Sequence, residues 1–580
     1  MKNIEFPGNS SGSNHIFDLL GKEVSDRMEK DSEAKTYLLP KKIIWQTQSP
    51  NAFVSNSGVL LKKRETQISL IQNNPCVLHN QGGHAAILLD FGVEICGGLV
   101  ISSWSCGQGI QNAKIRIRFG ESAMEAMSDL GEKNSGNNHA PRDITAEICY
   151  LGTYQTNCTG FRFARIDLLD DNSFLELKSV KAFAVYKDIP YLGSFQCSDE
   201  LLNSIWKTGA ITVHLNMQNG YIWDGIKRDR LVWIGDMHPE IKTIQTVFGY
   251  DDSVCRSLDF IRDETPLPGW MNQIPTYSMW WILEQYELYL HYGNLDYLRQ
   301  QESYLRGLTE QLSEHISPDG LDTTPDMRFI DWDTYENKQA TGAGIQALHI
   351  LAAKAARELL SVLGDRTSAE RCEHDIEKLK QCRLSHGGCK QEAALMVLAG
   401  LADAETVNRE VISVGGSKNM STFMGYYILK ARALAGDIPG CLDCIREFWG
   451  GMLQLGSTTF WEVFNTDWLD HAAKIDEIAA DGKRDVHGDY GDFCYTGYRK
   501  SLCHGWAAGP TPWLSEFVLG IRVEEPGCKT IRISPALGDL EWAEGTYPTP
   551  YGLLSVRHEK QADGSVKSFL SAPKEINIIQ

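Results

Sequence analysis

The chain has 580 residues, of which 42% are hydrophobic and 23% charged, ordinary globular proportions that exclude a disordered or fibrous protein and leave room for two to four compact domains. Its formal net charge of −19 repels phosphate backbones and anionic lipid, so nucleic acid and membrane surfaces are poor partners and a neutral or weakly polar ligand fits better. Tryptophan is enriched, at 15 residues beside 21 tyrosines, and such rings suit both a large core and the faces of sugars.

The fifteen cysteines are scattered without regular spacing, which reads as free buried thiols in a reducing compartment. Cys441 and Cys444 have redox-motif spacing but sit in an apolar helical stretch. Cys372, Cys382 and Cys389 lie near His374 and His386 with gaps that do not match a zinc site. The first twenty residues hold no apolar run of signal-peptide length, and no stretch approaches the ~18 apolar residues that span a bilayer. The expectation is a soluble, cytoplasmic protein.

In chain order, residues 1–35 form a polar arm. Residues 36–192 are short β-rich runs broken by turn residues; KIRIRFG (114–120) alternates apolar and charged residues as a strand with one wet face does, and the whole predicts an N-terminal β-sandwich. From 193 to 520 about a dozen helical segments follow one another, the first opened by Ser198 and Asp199 as N-cap candidates. Their count and pairing fit six hairpins closed in a ring or an open helical array. Strands return over 521–580 as a small C-terminal β-sandwich domain.

Polar and aromatic residues concentrate in four segments. Tyr221–Glu240 carries acids at 224, 229, 236 and 240, arginines 228 and 230, and tryptophans 223 and 233. It joins two helical segments, where scaffold-mounted sites concentrate; a salt-bridged helix junction is the alternative. Gly456–Trp468 sets Glu462 between large aromatics, which desolvates a carboxyl and raises its pKa. Phe329–Tyr335 and Cys503–Trp506 are the others.

DGIKRDRLVWIGD (224–236) resembles the signature of glycoside hydrolase family 78, the inverting α-L-rhamnosidases, with Asp224, Arg228, Leu231, Trp233 and Asp236 in register. GSTTFWEVF (456–464) is similar to the family's segment ending in Trp-Glu, and IDWDTY (330–335) to its Gly-Asp-Trp segment. LYLHYGN (288–294) resembles the end of a helix of the family's barrel, and LLDFGVEICGGL (88–99) and GFRFARIDL (160–168) its sandwich strands.

The resemblance runs from about residue 40 to the C-terminus and implies an (α/α)6 barrel catalytic domain flanked by β-sandwiches. It places Asp229 at the general-acid position, where the family has Glu, and Glu462 at the general-base position. It assigns Asp224, Arg228, Trp233, Asp236, Trp332 and His504 to sugar contact, with Tyr277 or Trp280 as a further aromatic wall and Trp461 beside the base. Gly225-Ile226 replaces the family's Cys-Pro, which is expected to loosen the loop, and the acid is one methylene shorter.

The implied reaction is hydrolysis of a terminal sugar with inversion, using no metal or cofactor, on a carbohydrate or glycoside. The alternatives are a non-catalytic glycan-binding relative or another (α/α)6 enzyme, a uronyl hydrolase or lyase.

Overall fold

The computed structural model describes residues 22–27, 33–107, 112–325, 327–480 and 482–580. Most of the expected polar arm lies outside the described residues, but its end does not: Glu33–Leu38 is a strand, paired antiparallel with Phe174–Lys187.

The N-terminal part is an eleven-stranded sheet built round one 21-residue strand, Ala86–Cys106. The first half of that strand pairs with Thr159–Leu168 and the second half with Phe174–Lys187. The period-two alternation of residues 114–120 holds, although the second face is not wet throughout, since Arg118 is buried. Ile115, Ile117 and Phe119 enter the apolar core, while Arg116 and Arg118 turn to the other face and pair with Asp143 and Asp167.

Helices begin at Glu200–Asn216, capped by Asp199, whose carboxylate accepts from the Leu201 amide at 2.8 Å. Six helices then form a circuit: Met237–Val247, Pro275–Tyr292, Lys338–Leu363, Lys390–Ala399, Gly425–Leu434 and Pro510–Trp513. Each packs on the next and the last packs back on the first. Burial explains which helices stand inside. Lys338–Leu363 hides residues on most of its faces, whereas Asp252–Asp263, between two of the inner helices in the chain, hides one stripe (Val254, Leu258, Ile261) and leaves Arg256 and Asp263 in solvent.

The C-terminal part holds a three-stranded sheet and a four-stranded one. Ser194–Cys197, expected to belong to the helical part, is an edge strand of the four-stranded sheet, paired with Trp542–Thr549. All fifteen cysteines are free. Among the described residues no helix is long and apolar enough to cross a membrane.

The N-terminal sheet is fastened to the helical ring by buried charge. Arg162 grips Asp90 with Nε at 2.8 Å and Nη2 at 3.0 Å, a two-pronged pair, and its third nitrogen donates to the Gly456 carbonyl at 2.7 Å. The Glu94 amide donates to Thr458 Oγ1 at 2.9 Å. Both contacts land on the segment that carries Glu462.

Candidate active site

A cavity of about 1090 Å³ opens where the loops leading into the inner helices converge. Four stretches supply most of its wall: 224–236, 268–277, 327–332 and 494–506; Glu462 comes from a fifth. Of the residues singled out from sequence, Asp224, Arg228, Asp229, Trp233, Asp236, Tyr277, Trp332, Glu462 and His504 all line this one space.

The loop from Asp224 to Leu231 is closed on itself: the Asp224 amide donates to the Leu231 carbonyl at 3.1 Å, and the Leu231 amide to Asp224 Oδ1 at 3.0 Å. Inside it Asp229 and Arg230 stand at φ 55° and 57°, two consecutive non-glycine residues in the left-handed region. Such a turn is held only when its surroundings enforce it. The loosening expected from Gly225-Ile226 is absent. Gly225 bridges His504 in antiparallel fashion, and Ile226 is fully buried in an apolar cluster with Cys96 and Cys503. Gly160 gives it room, since a Cβ there would lie 2.8 Å from both Ile226 Cγ1 and the Lys227 amide nitrogen.

Arg228 joins the two proposed reacting carboxyls. Its Nη1 lies 2.7 Å from Asp229 Oδ1, its Nη2 lies 2.5 Å from Glu462 Oε1, and its Nε donates to the Arg499 carbonyl at 3.0 Å. Terminal nitrogens of one guanidinium are ~2.3 Å apart, so those two oxygens are at most about 7.5 Å from each other. Inverting pairs stand about 6.5–9.5 Å apart. Asp229 is 19% exposed and has His139 at 3.4 Å, whereas Glu462 is 2% exposed.

Burial raises the Glu462 pKa, opposed by the Arg228 charge and by the Ser501 amide, which donates to Oε2 at 2.7 Å. His504 Nε2 faces three carboxyls, at 3.5 Å from Glu462, 3.8 Å from Asp224 and 3.9 Å from Asp236. Burial and Arg228 hold its pKa well below the usual histidine range, so it stands neutral among them. Burial, then repulsion from Asp229 and Asp236, pushes Asp224 well above the carboxylate range. Burial does the same to Asp236, although the Tyr277 hydroxyl donates to it at 3.0 Å. Buried acids beside a neutral imidazole can exchange donors and acceptors with hydroxyl groups, and the rings of Trp233, Trp332 and Tyr277 offer apolar faces next to them.

Two expected wall residues are elsewhere. Trp280, one turn below Tyr277, points away from this cavity into a second one of about 400 Å³, with His238 and Tyr427. Trp461 is fully buried, its ring 5.7 Å from Phe464. Trp270, Tyr495 and Arg499 line the cavity without having been anticipated; the Pro268-Gly269-Trp270 turn was the one available signal. Trp506, from a segment already noted, lines it too and donates its indole N–H to the Glu462 carbonyl at 3.0 Å. Glu240, one turn below Asp236, is fully buried with neither carboxyl oxygen hydrogen-bonded among the described residues.

Residues 190–386 match the family described as the bacterial alpha-L-rhamnosidase six-hairpin glycosidase domain, and residues 520–578 match the bacterial alpha-L-rhamnosidase C-terminal domain. Two stretches of the chain, together less than half of it, are thus similar to domains of the bacterial α-L-rhamnosidases. An α-L-rhamnosidase of Alteromonas sp. (strain LOR) is 24% identical over 577 residues, covering 90% of this chain; the chain spans 58% of that relative's length. The fold is that of the family 78 rhamnosidase of Bacillus sp. GL1 (TM-score 0.71, 22% identity, 90% of this chain and 55% of that one). The rhamnosidase of Klebsiella oxytoca, solved with rhamnose bound, also shares it, at TM-score 0.63, 16% identity, and coverage of 83% of this chain and 95% of that one.

Proposed function

We propose that this chain is an inverting glycoside hydrolase of the α-L-rhamnosidase type, which removes a terminal sugar from an oligosaccharide or glycoside. The helical ring is then an (α/α)6 barrel and the flanking sheets are β-sandwiches. The observation that carries the reading is the single guanidinium of Arg228 touching both Asp229 and Glu462 inside one aromatic-walled cavity.

In this scheme Asp229 gives its proton to the glycosidic oxygen as the bond to the anomeric carbon breaks. Glu462 takes a proton from water attacking the opposite face. Arg228 orients both groups, and the Ser501 amide and Arg228 favour the ionised base against its burial. Asp224, Asp236 and His504 hold sugar hydroxyls, and Trp233, Tyr277 and Trp332 pack against the ring faces. A shorter acid is compatible with this because the left-handed turn at 229–230 belongs to a loop fixed on both sides.

A panel of nitrophenyl glycosides tests the proposal: release of nitrophenol from the α-L-rhamnoside above all others is expected, and no release from any of them refutes it. One observation favours a second reading, a glycan-binding protein without turnover. Asp229 Oδ1 is held by Arg228 at 2.7 Å and has His139 Nε2 at 3.4 Å. Saturable binding of rhamnosides with no turnover selects it.

A further inference from the structure

Outside the cavity, a cluster of buried titratable side chains sits at the seam between the N-terminal sheet and the helical ring. Glu121 and Glu125 are fully buried there at the end of the strand Ala113–Gly120 and in the short helix Ala123–Met127, opposite His487. The three are grouped as metal ligands are, but a cation already stands among them. Lys227 Nζ lies 2.8 Å from Glu121 Oε2, 3.4 Å from Glu125 Oε1 and 3.4 Å from His487 Nε2, and donates to the carbonyls of Tyr498 and Lys500 at 2.9 and 2.7 Å.

Glu121 does more than pair with that lysine. Its Oε2 accepts from the Leu502 amide at 2.7 Å and its Oε1 from Ser501 Oγ at 3.1 Å. Lys227 and Ser501 are the immediate supports of the proposed base. Residue 227 precedes Arg228, which holds Glu462 Oε1, and the Ser501 amide holds Glu462 Oε2 while its carbonyl accepts from the Glu462 amide at 3.0 Å. We propose that Glu121, contributed by the N-terminal sheet domain, is a positioning residue that fixes Lys227 and the Ser501–Leu502 backbone and thereby aims the Glu462 carboxyl. The inference rests on the reading of Glu462 as general base.

A carboxylate that accepts a backbone N–H ionises more readily, so loss of the Ser501 contact raises the pH at which Glu462 becomes active. The cations near Glu462 are Arg228, Lys227 and Lys500, the last brought down to about 7 by burial. Asp229 and Asp236 repel its charge whenever they are ionised, His504 stands neutral at 3.5 Å, and Tyr495 and Cys494 are kept protonated by burial. Burial raises Glu121 itself to about 7, so Glu121→Gln alters its contacts with the Leu502 amide and Lys227 at every pH and removes a charge only above that value, while Arg228, Asp229, Asp236 and His504 stay in place.

The test is Glu121→Gln in the full chain. The acidic limb of kcat/KM is expected to move up by about one pH unit, the scale of one charge-assisted hydrogen bond. At neutral pH kcat is expected to fall roughly tenfold with KM little changed. Hydrogen exchange read by mass spectrometry on a peptide spanning 498–506 should show protection lost at Ser501 and Leu502, whether or not a substrate is known. Ser501→Ala, which removes the Glu121–hydroxyl bond and keeps every charge, should move the limb the same way by less, and serves if Glu121→Gln does not fold. An unmoved limb and unchanged exchange at 501–502, with only a lower melting temperature, overturn the proposal. Absence of turnover in the unmodified protein strikes the functional reading instead, and the exchange result then decides this one.

Discussion

Arg228 Nη2 and Glu462 Oε1 meet at 2.5 Å across 234 positions of sequence, in a place where only 2% of the Glu462 side chain reaches solvent. Burial raises the pKa of that carboxyl, and the Arg228 charge is the foremost influence that lowers it again. The same guanidinium reaches Asp229, so its planar fork ties the spacing of the pair to one residue.

Arg228→Met is therefore expected to lower kcat/KM by about a hundredfold or more, with the acidic limb of the pH profile displaced upward. The sign follows from the proposed base role, in which the ionised form is active: burial already raises its pKa, and loss of the cation raises it further. Arg228→Lys should not rescue activity, since one ammonium cannot take both positions of the fork. Steady-state kinetics between pH 4 and 8 read both effects.

Gly160 gives a prediction from across the domain seam. Gly160→Ala drives a Cβ against Ile226 and the Lys227 backbone, at 2.8 Å from each. Overpacking of this kind costs about 1–3 kcal/mol, and displacement of the loop bearing Asp229 by a fraction of an ångström lowers turnover by up to about a hundredfold. Thermal melts with kinetics separate the two, and turnover should fall by more than the stability loss accounts for.

Glu240 predicts a pH-dependent gain in stability. Its pKa is held well above 4.5 by burial, with Asp236, Asp224 and Glu284 adding repulsion. A carboxyl whose pKa is raised on folding costs more as pH climbs above its unfolded value, on the order of 1 kcal/mol per pH unit until the folded value is passed. Glu240→Gln removes that cost. The variant should melt above the parent at pH 8 by a wider margin than at pH 5; equal margins contradict the burial argument.

Trp332→Ala removes an apolar face beside the acids. It is expected to raise KM roughly tenfold while changing kcat less, the signature of a ring that holds substrate rather than reacts with it. Trp280→Ala, from the neighbouring cavity, should leave KM for the same glycoside near its original value.

What could be read beforehand followed from how local each signal is. Asp224 to Asp236 is one loop, so its acids, arginine and tryptophan stand together in sequence as in space. The Glu462 segment declared itself through its aromatic neighbours. Trp280 misled because a helix turns: three residues past Tyr277 it sits one turn lower and opens on another space. Trp461 misled because the residue beside the base is fully buried and packs its ring against Phe464 in the core. The edge strand Ser194–Cys197 could not be placed because its partner, Trp542–Thr549, lies some 350 residues downstream. Tyr495 and Arg499 sit on a loop without a repeating pattern, and the role of Glu121 exists only where two domains touch.

The most direct measurement follows the sugar released from nitrophenyl α-L-rhamnoside by proton NMR in the first minutes of reaction, before mutarotation mixes the anomers. In the proposed scheme, with Asp229 and Glu462 acting from opposite faces and water between them, the β-anomer should appear first. Initial release of the α-anomer, or β-anomer produced equally well by Glu462→Gln, contradicts the assignment of these two residues.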